Sequence, residues 1–395
     1  MTVQKHVSII ALFFVFQLGF GQYKQLSPAA EISIITAGPG KILYEGFGHS
    51  TIRVQDKNLE LDLAYNYGIF DFNAPNFYLN FVKGNLFYRL EKYPFHYFVR
   101  SYNQQHRWVK EQVLNLNQHE KQQFFEYLEN NAISENAVYS YDPFFNNCAT
   151  KLREITEIIL QENVTFSETH LTNNKTLREL MNTEIPWNSW GSFGINLALG
   201  NRLDKVASEK EYMYLPDYVY TGFKNATVIH NGVKEKLVKK EHTLLKYKEL
   251  RVPVETFNPF LLFSLLMCIG LWITYSDIKK QRRTKWLDFL LFFSTGLLGA
   301  LILFLWFFTN HSTAPNNYNF LWAFAPNLLV AFYSLQKHSK KWLPKYVQFL
   351  LLLLLVIPLV WIGNIQLLPM SIIPLLILLS IRYIALTRSL LACKG

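Results

Sequence analysis

The sequence predicts an α+β domain outside a membrane, followed by an all-α bundle of five transmembrane helices over residues 258–395. Three observations carry that expectation. A basic start followed by an apolar run opens the chain, strand and helix patterns alternate over roughly 22–233, and from about 258 the sequence is overwhelmingly apolar between short charged loops.

The first element is MTVQKH, with its lysine, then the apolar run VSIIALFFVFQLGF and the small residues Gly19 and Gly21 around Phe20. That is the layout of an export signal, expected over 1–21; the competing reading, an uncleaved anchor, would be near the short end for spanning. No cysteine follows it, so the chain is not expected to be a lipoprotein itself.

Next, ISIITAGPGKILYEGFGHSTIRVQDKNLELDLAYNYG reads as a strand, a glycine-rich loop and a hairpin whose second strand begins at His49. Ser50, Ile52 and Val54 form its core face. A turn centred on Asp56-Lys57 would pair Arg53 with Glu60 and Ile52 with Leu61, setting His49 opposite Ala64 with Asn66 diagonal to it. The run NFYLNFVKGNLFYRLEKYPFHYFVRSY interleaves Phe and Tyr with Lys and Arg. It suits either a core of strand and helix faces or a rim dipping into lipid headgroups. NQHEKQQFFEYLENN reads as an amphipathic helix.

In FFNNCATKLREITEIILQ, Leu152, Ile155 and Ile159 recur at helical spacing, and Asn147 is a good N-cap that puts Cys148 in the first turn. There the helix dipole and free amides favour thiolate over thiol. The exported domain, 22–233, is expected to end in a juxtamembrane connector over 234–257, where charges of both signs mix.

Spans are expected near 259–276, 286–309, 319–335, 346–363 and 369–387. The loops DIKKQRRTK and QKHSKKWLPK carry five and four basic residues, whereas NHSTAPNNY and GNIQLLP carry none. Basic loops stay inside, which puts the C-terminus in the cytoplasm and residues 22–257 in the periplasm. The twelve Lys and Arg after residue 257, against Asp277 and Asp288, account for the whole net charge of +10. The basic balance therefore follows topology and gives no reason to expect nucleic acid. Asp288 and Arg382 sit near expected helix ends, so the spans offer no ion pathway and transport is disfavoured.

Of three cysteines, Cys268 falls in a span and Cys393 in the tail, leaving Cys148 alone in the exported domain. An unpaired thiol in an oxidising compartment is either buried and inert or used. A nucleophilic cysteine calls for a histidine. The candidates are His49, His96, His106, His119, His170, His230 and His242, and only His49, behind Gly46-Phe47-Gly48, has a setting that looks built for the task. Asn66 is the candidate to orient it. No cluster has metal-ligand spacing, and AGPGK lacks the spacing of a phosphate loop.

A histidine opening a strand, a polar residue on the next strand, and a later Asn-Cys opening a helix resemble the order of circularly permuted papain-like folds, among them lecithin:retinol acyltransferase and its relatives. More closely, GPGKILYEGFGHSTIRV, YNYGIFDF, PNFYLNFVKGNLFY, FFNNCATKLRE, GINLALGNRLDK and EYMYLPDYV, six blocks in order, resemble the periplasmic domain of Lnb-type lipoprotein N-acyltransferases. The resemblance implies a circularly permuted papain-like periplasmic domain on an inner-membrane anchor of five helices. It implies Cys148 as nucleophile and His49 as base, with Ser50, Asn147 and Arg153 at matching supporting positions. Asn146 departs from the aspartate expected before Asn-Cys.

The reaction it implies moves an acyl chain from a phospholipid, through a thioester, to the amine of a diacylglyceryl-cysteine lipoprotein, with no cofactor. Trp187, Trp190 and WGSFG would suit an acyl-chain groove or a plain loop. An alternative is that the same Cys-His pair serves a membrane-anchored periplasmic cysteine hydrolase of peptidoglycan or peptide amides, and a buried, inert Cys148 would leave a binding module.

Overall fold

The computed structural model describes residues 24–167, 174–338 and 340–392. The expected signal segment 1–21, His170 and Cys393 lie outside the described residues. Ten strands are described: β1 Glu31–Ala37, β2 His49–Asp56, β3 Leu61–Ile69, β4 Phe87–Pro94, β5 Val109–Leu114, β6 Val138–Ser140, β7 Val164–Thr165, β8 Thr227–His230, β9 Val233–Lys236 and β10 Val238–Leu245. Seven form an antiparallel sheet in the order β10-β5-β1-β2-β3-β4-β6, and β7, β8 and β9 form a second, small sheet.

Helices follow in order: α1 Phe77–Lys83, α2 Phe95–Gln104, α3 Gln118–Asn131, α4 Cys148–Leu160, α5 Leu177–Glu184, α6 Trp190–Ala198, α7 Glu209–Tyr212 and α8 Pro216–Asn225. After these come α9 Pro259–Lys279, α10 Lys285–Phe307, α11 Asn327–Ser334, α12 Leu343–Ile362 and α13 Ile373–Ala392. The chain is thus an α+β domain followed by a helical bundle.

Both faces of the large sheet are covered. Ile32, Ile34, Ile52, Val54 and Tyr65 share a core with Phe124 and Leu128 of α3, Leu152 and Ile155 of α4, and Phe223 of α8. Ile35, Ala37, Ala64 and Val109 pack against Phe95 and Phe98 of α2. With both faces covered, β1 is buried from Ile32 to Ala37, and its polar residues Ser33 and Thr36 are buried along with its apolar ones.

The β2–β3 register differs from the expected one by four residues: Arg53 pairs with Ala64, and Asp56 with Leu61. A two-residue turn is replaced by a 3-10 turn over Lys57–Leu59, started by Asp56 accepting from the Asn58 amide and closed by Glu60 in the left-handed region. Arg53 is consequently bonded to Asp62 and Glu111. An even slip leaves every side chain on its face, so His49 and Asn66 still share one.

The stretch 234–257, expected as a connector, is strand in its first half. β10 pairs with β5 at the sheet edge, leaving 246–257 without regular structure. The lysines and glutamate of VKKEHTLL, which suggested a loop, are the charges that protect an exposed edge strand.

Among the described residues four helical stretches have membrane length: Pro259–Lys279, Lys285–Phe307, Leu343–Ile362 and Met370–Leu391. The third expected span, 319–335, is instead a 3-10 turn at Tyr318–Leu321, an irregular stretch, and the eight-residue α11. Pro326 explains the break: it lacks an amide hydrogen and disfavours helix in the residue before it, so α11 starts just beyond it. The irregular backbone is sheltered by Gly296 and Gly299 of α10. A Cβ on Gly299 would lie 2.0 Å from the Ala323 carbonyl oxygen, and one on Gly296 2.1 Å from the Leu328 nitrogen. Non-helical backbone at membrane depth survives only when enclosed by protein in this way.

At one end of the bundle Arg382 bonds Asp277 and Asp288, and Arg283 also bonds Asp288, all four with side chains largely buried. Asp277 and Asp288 sit near the ends of α9 and α10, whereas Arg382, expected near a helix end, lies midway along α13; its charge is spent on the two carboxylates. At the opposite end the bundle holds the soluble domain. The Gly200 amide donates to Thr313 O, Asn319 Nδ2 to Asn196 O, and the Leu367 amide to Asp204 Oδ1. Helix α6 is the wedge between them, with Leu197 in the bundle's own core and Gly191 against Leu43 of the loop that precedes β2.

Candidate active site

The site forms where β2 begins, β3 ends and α4 begins. The α4 N-terminus is set by Asn147, whose side chain accepts from the amides of Ala149 and Thr150 while the Thr150 hydroxyl accepts from the Asn147 amide. Asn147 Nδ2 also donates to the carbonyls of Pro143 and Tyr214, so one residue caps the helix and moors it. Cys148 is therefore the first helical residue, and it is half-buried. Gly68 meets it from β3 with φ +90°; a Cβ there would sit 3.5 Å from the Cys148 Cβ.

His49 lies hydrogen-bonded between Cys148 and Asn66. Its Nε2 is 2.6 Å from Asn66 Oδ1, and Asn66 Nδ2 donates to the Tyr93 hydroxyl at 2.8 Å. In this arrangement the Asn66 amide faces its oxygen to Nε2, so Oδ1 accepts from Nε2–H and Nδ1 is left for the thiol. The imidazole stacks on Phe98, with ring centroids 6.4 Å apart.

Burial alone would push the Cys148 thiol up. The charge of His49, the hydrogen bond to it, and the backbone amides of Ser50 and Ala149 reverse this and hold the thiol below its ordinary value. Burial likewise pushes His49 down, but the Cys148 charge and the hydrogen bonds to Cys148 and Asn66 carry it above its ordinary value, against the opposing charge of Arg107. Both shifts favour thiolate beside imidazolium.

The structure brings together Cys148, His49, Asn66 and Asn147. Ser50 contributes its backbone amide to the sulfur, while its hydroxyl is buried with no hydrogen-bond partner among the described residues. Arg153 stands apart: it points along the flank of α4, bonded to the Lys210 carbonyl and 3.8 Å from Glu157. Asn146, where an aspartate was expected, donates from its side chain to the Ser140 carbonyl. Asp142 organises this loop instead, accepting from the amides of Phe144 and Phe145.

Three contributors had no sequence signal, because each arrives by long-range packing. Tyr93 orients Asn66. Arg107 is buried, bonded to the Gly38 carbonyl, and its charge reaches His49. Tyr141 borders the thiol, with Cε2 3.7 Å from the Cβ position of Gly68. His230, by contrast, pairs with Glu120 and Glu235 in a separate cluster. Among the described residues no group of three or more His, Cys, Asp or Glu could hold a metal ion.

Two family models match the chain. Residues 20–183 match the Lnb N-terminal periplasmic domain, and residues 252–392 match the Lnb transmembrane domain. No curated protein and no solved structure gives a significant match.

Proposed function

The chain belongs to the Lnb family, a multi-pass inner-membrane architecture with a periplasmic domain, and on that premise we propose that it N-acylates lipoproteins through a Cys148 thioester. The observation that carries the proposal is the hydrogen-bonded series Cys148–His49–Asn66, with the thiol shifted down and the imidazole up, on a domain moored to a membrane bundle.

In the first half-reaction His49 holds the Cys148 proton, and the thiolate attacks an ester carbonyl of a phospholipid in the outward leaflet. The C–O bond breaks, the lysophospholipid leaves with the proton from His49, and the acyl group stays on sulfur. The Cys148 amide at the start of α4 is placed to receive the developing oxyanion. In the second half-reaction the α-amine of a diacylglyceryl-cysteine lipoprotein attacks the thioester. His49 accepts a proton from that amine and returns it to the sulfur as the amide forms.

The domain fits a circularly permuted papain-like reading, with the helix-borne cysteine later in the chain than the strand-borne histidine. The bundle fits five crossings, because the broken third segment runs from Thr313, bonded to the soluble domain, to Ser334, bonded to Arg283 in the basic loop. Both lipid substrates are confined to the membrane, so an anchored site meets them in two dimensions with a favourable orientation.

Mass spectrometry of lipoprotein N-termini from cells with and without this protein tests the reading. The expected result is loss of the N-linked chain without it, restored by the wild type and not by Cys148→Ser. Unchanged lipoproteins, with cleavage of soluble muropeptides by the purified protein, would establish the hydrolase instead.

A further inference from the structure

An aromatic path leads away from the thiol. Tyr141, beside Gly68 and Cys148, stacks on Tyr88 with centroids 4.1 Å apart, and Tyr88 meets Phe70 at 5.0 Å. From Phe70 the rings continue through Phe77 at 6.1 Å and Phe81 at a further 6.3 Å, ending at His311. Tyr44, on the loop that leads to His49, closes the near end against Phe70 at 6.2 Å. Along this path, between α1 and β4, lies a cavity of about 200 Å³ whose lining is mostly apolar, Pro75, Phe77, Phe81 and Tyr88 among it, with Asn80 and Asn85 as its polar members.

The far end of the path is fixed at the membrane. The Asn310 amide, three residues past the end of α10, donates to the Lys83 carbonyl at 2.8 Å, and its side chain bonds Asn85. Gly84 admits this approach: it has φ +77°, and a Cβ would lie 2.5 Å from the His311 nitrogen. Helix α1 is therefore held at the periplasmic mouth of a membrane-spanning helix. Its sequence, FYLNFVK, has one charge, and Tyr78, Leu79, Phe81 and Val82 are exposed. Exposed apolar side chains at that depth face lipid rather than water.

We propose that this path is the binding groove for one acyl chain of the donor lipid, entering from the outward leaflet beside α10 and presenting its ester carbonyl to Cys148. The groove rests on the acyl-transfer reading and adds the part of the molecule that receives the chain. Its volume is below the roughly 300–1,000 Å³ of a pocket that encloses a whole ligand and suits part of a single extended chain. Continuity with the end of α10 is what selects a membrane lipid as occupant. The WGSFG segment, the other candidate for such a groove, is spent elsewhere: Trp190 bonds the Phe257 carbonyl and Phe193 packs on Phe263.

Two measurements on the full chain in phospholipid vesicles test the groove. The first uses phosphatidylethanolamine with a diazirine in one acyl chain and the Cys148→Ser variant, which cannot turn it over. Labelling at the cavity residues Ala74, Pro75, Leu86 or Tyr88 is expected; labels confined to the exposed side chains of α1 and the lipid-facing surfaces of α9–α13 would overturn the proposal. The second compares thioester formation from palmitoyl and hexanoyl phospholipids before and after Ala74→Trp. The long-to-short ratio is expected to fall about tenfold, comparable to excluding roughly two methylenes. An unchanged ratio in a variant that still forms thioester overturns the groove and leaves the transfer reading standing. Failure of the wild type to form a thioester with either lipid removes that reading, and the groove with it.

Discussion

At the residue scale, the proposed chemistry depends on a proton shared between sulfur and imidazole. Because the thiol is held below its ordinary value and the imidazole above its own, each shift favours the charged form of the pair. Thiolate is lost as pH falls through the lowered thiol value, and the imidazolium is lost as pH rises through the raised imidazole value. Iodoacetamide alkylation of Cys148 is therefore expected to proceed at lower pH than that of an ordinary free thiol. In His49→Ala its midpoint should move up towards the ordinary thiol value of about 8.5 or above, since the burial penalty remains and the counter-charge is gone. An alkylation profile that His49→Ala leaves in place would contradict the pairing. Cys148, His49 and Asn147 were legible because their signals are local: a cap before a helical pattern and a glycine loop before a strand. Asn66 was reached through a mistaken register that happened to preserve its face, and Tyr93 and Arg107 were not reached at all, because only the closed sheet brings them near.

At the element scale, the instructive departures come from backbone groups that hydropathy does not weigh. Residues 319–335 are apolar enough to read as a span, yet Pro326 prevents a continuous helix, and the chain is accommodated by the backbone surfaces of Gly296 and Gly299. Gly299→Val should force α10 away from the Ala323 carbonyl and lower the thermal midpoint of the purified protein, whereas Val at Gly194, which has nothing within 4 Å of its Cβ position, should do far less. Equal midpoints for the two variants would show that the close approach is not needed. Strand β10 was missed for the converse reason: an edge strand is written in charges, and its pairing with β5 joins residues more than a hundred positions apart.

At the scale of the whole molecule, the soluble domain is built into its anchor. Arg178 is fully buried, bonded to Asp204 at 2.9 Å, to Asn196 and to the carbonyls of Leu199 and Gly200, while Asp204 also receives the Leu367 amide from the bundle. Asp204→Ala would strand a buried guanidinium, at a cost of about 3–5 kcal/mol, and should lower the unfolding temperature of bundle and domain together. Separate transitions, with only one shifted, would show that the two unfold independently. Division into an exported domain and a bundle was readable from charge and hydropathy, but the polar joint between them was not, since Asn, Gly and Asp in loops carry no periodicity.

The most direct test of the account is the mass of the purified wild-type protein after incubation with phospholipid vesicles. One acyl chain on Cys148, released by neutral hydroxylamine and absent from Cys148→Ser, is the predicted result. A wild type that acquires no such adduct, or an adduct that persists in Cys148→Ser, would contradict it.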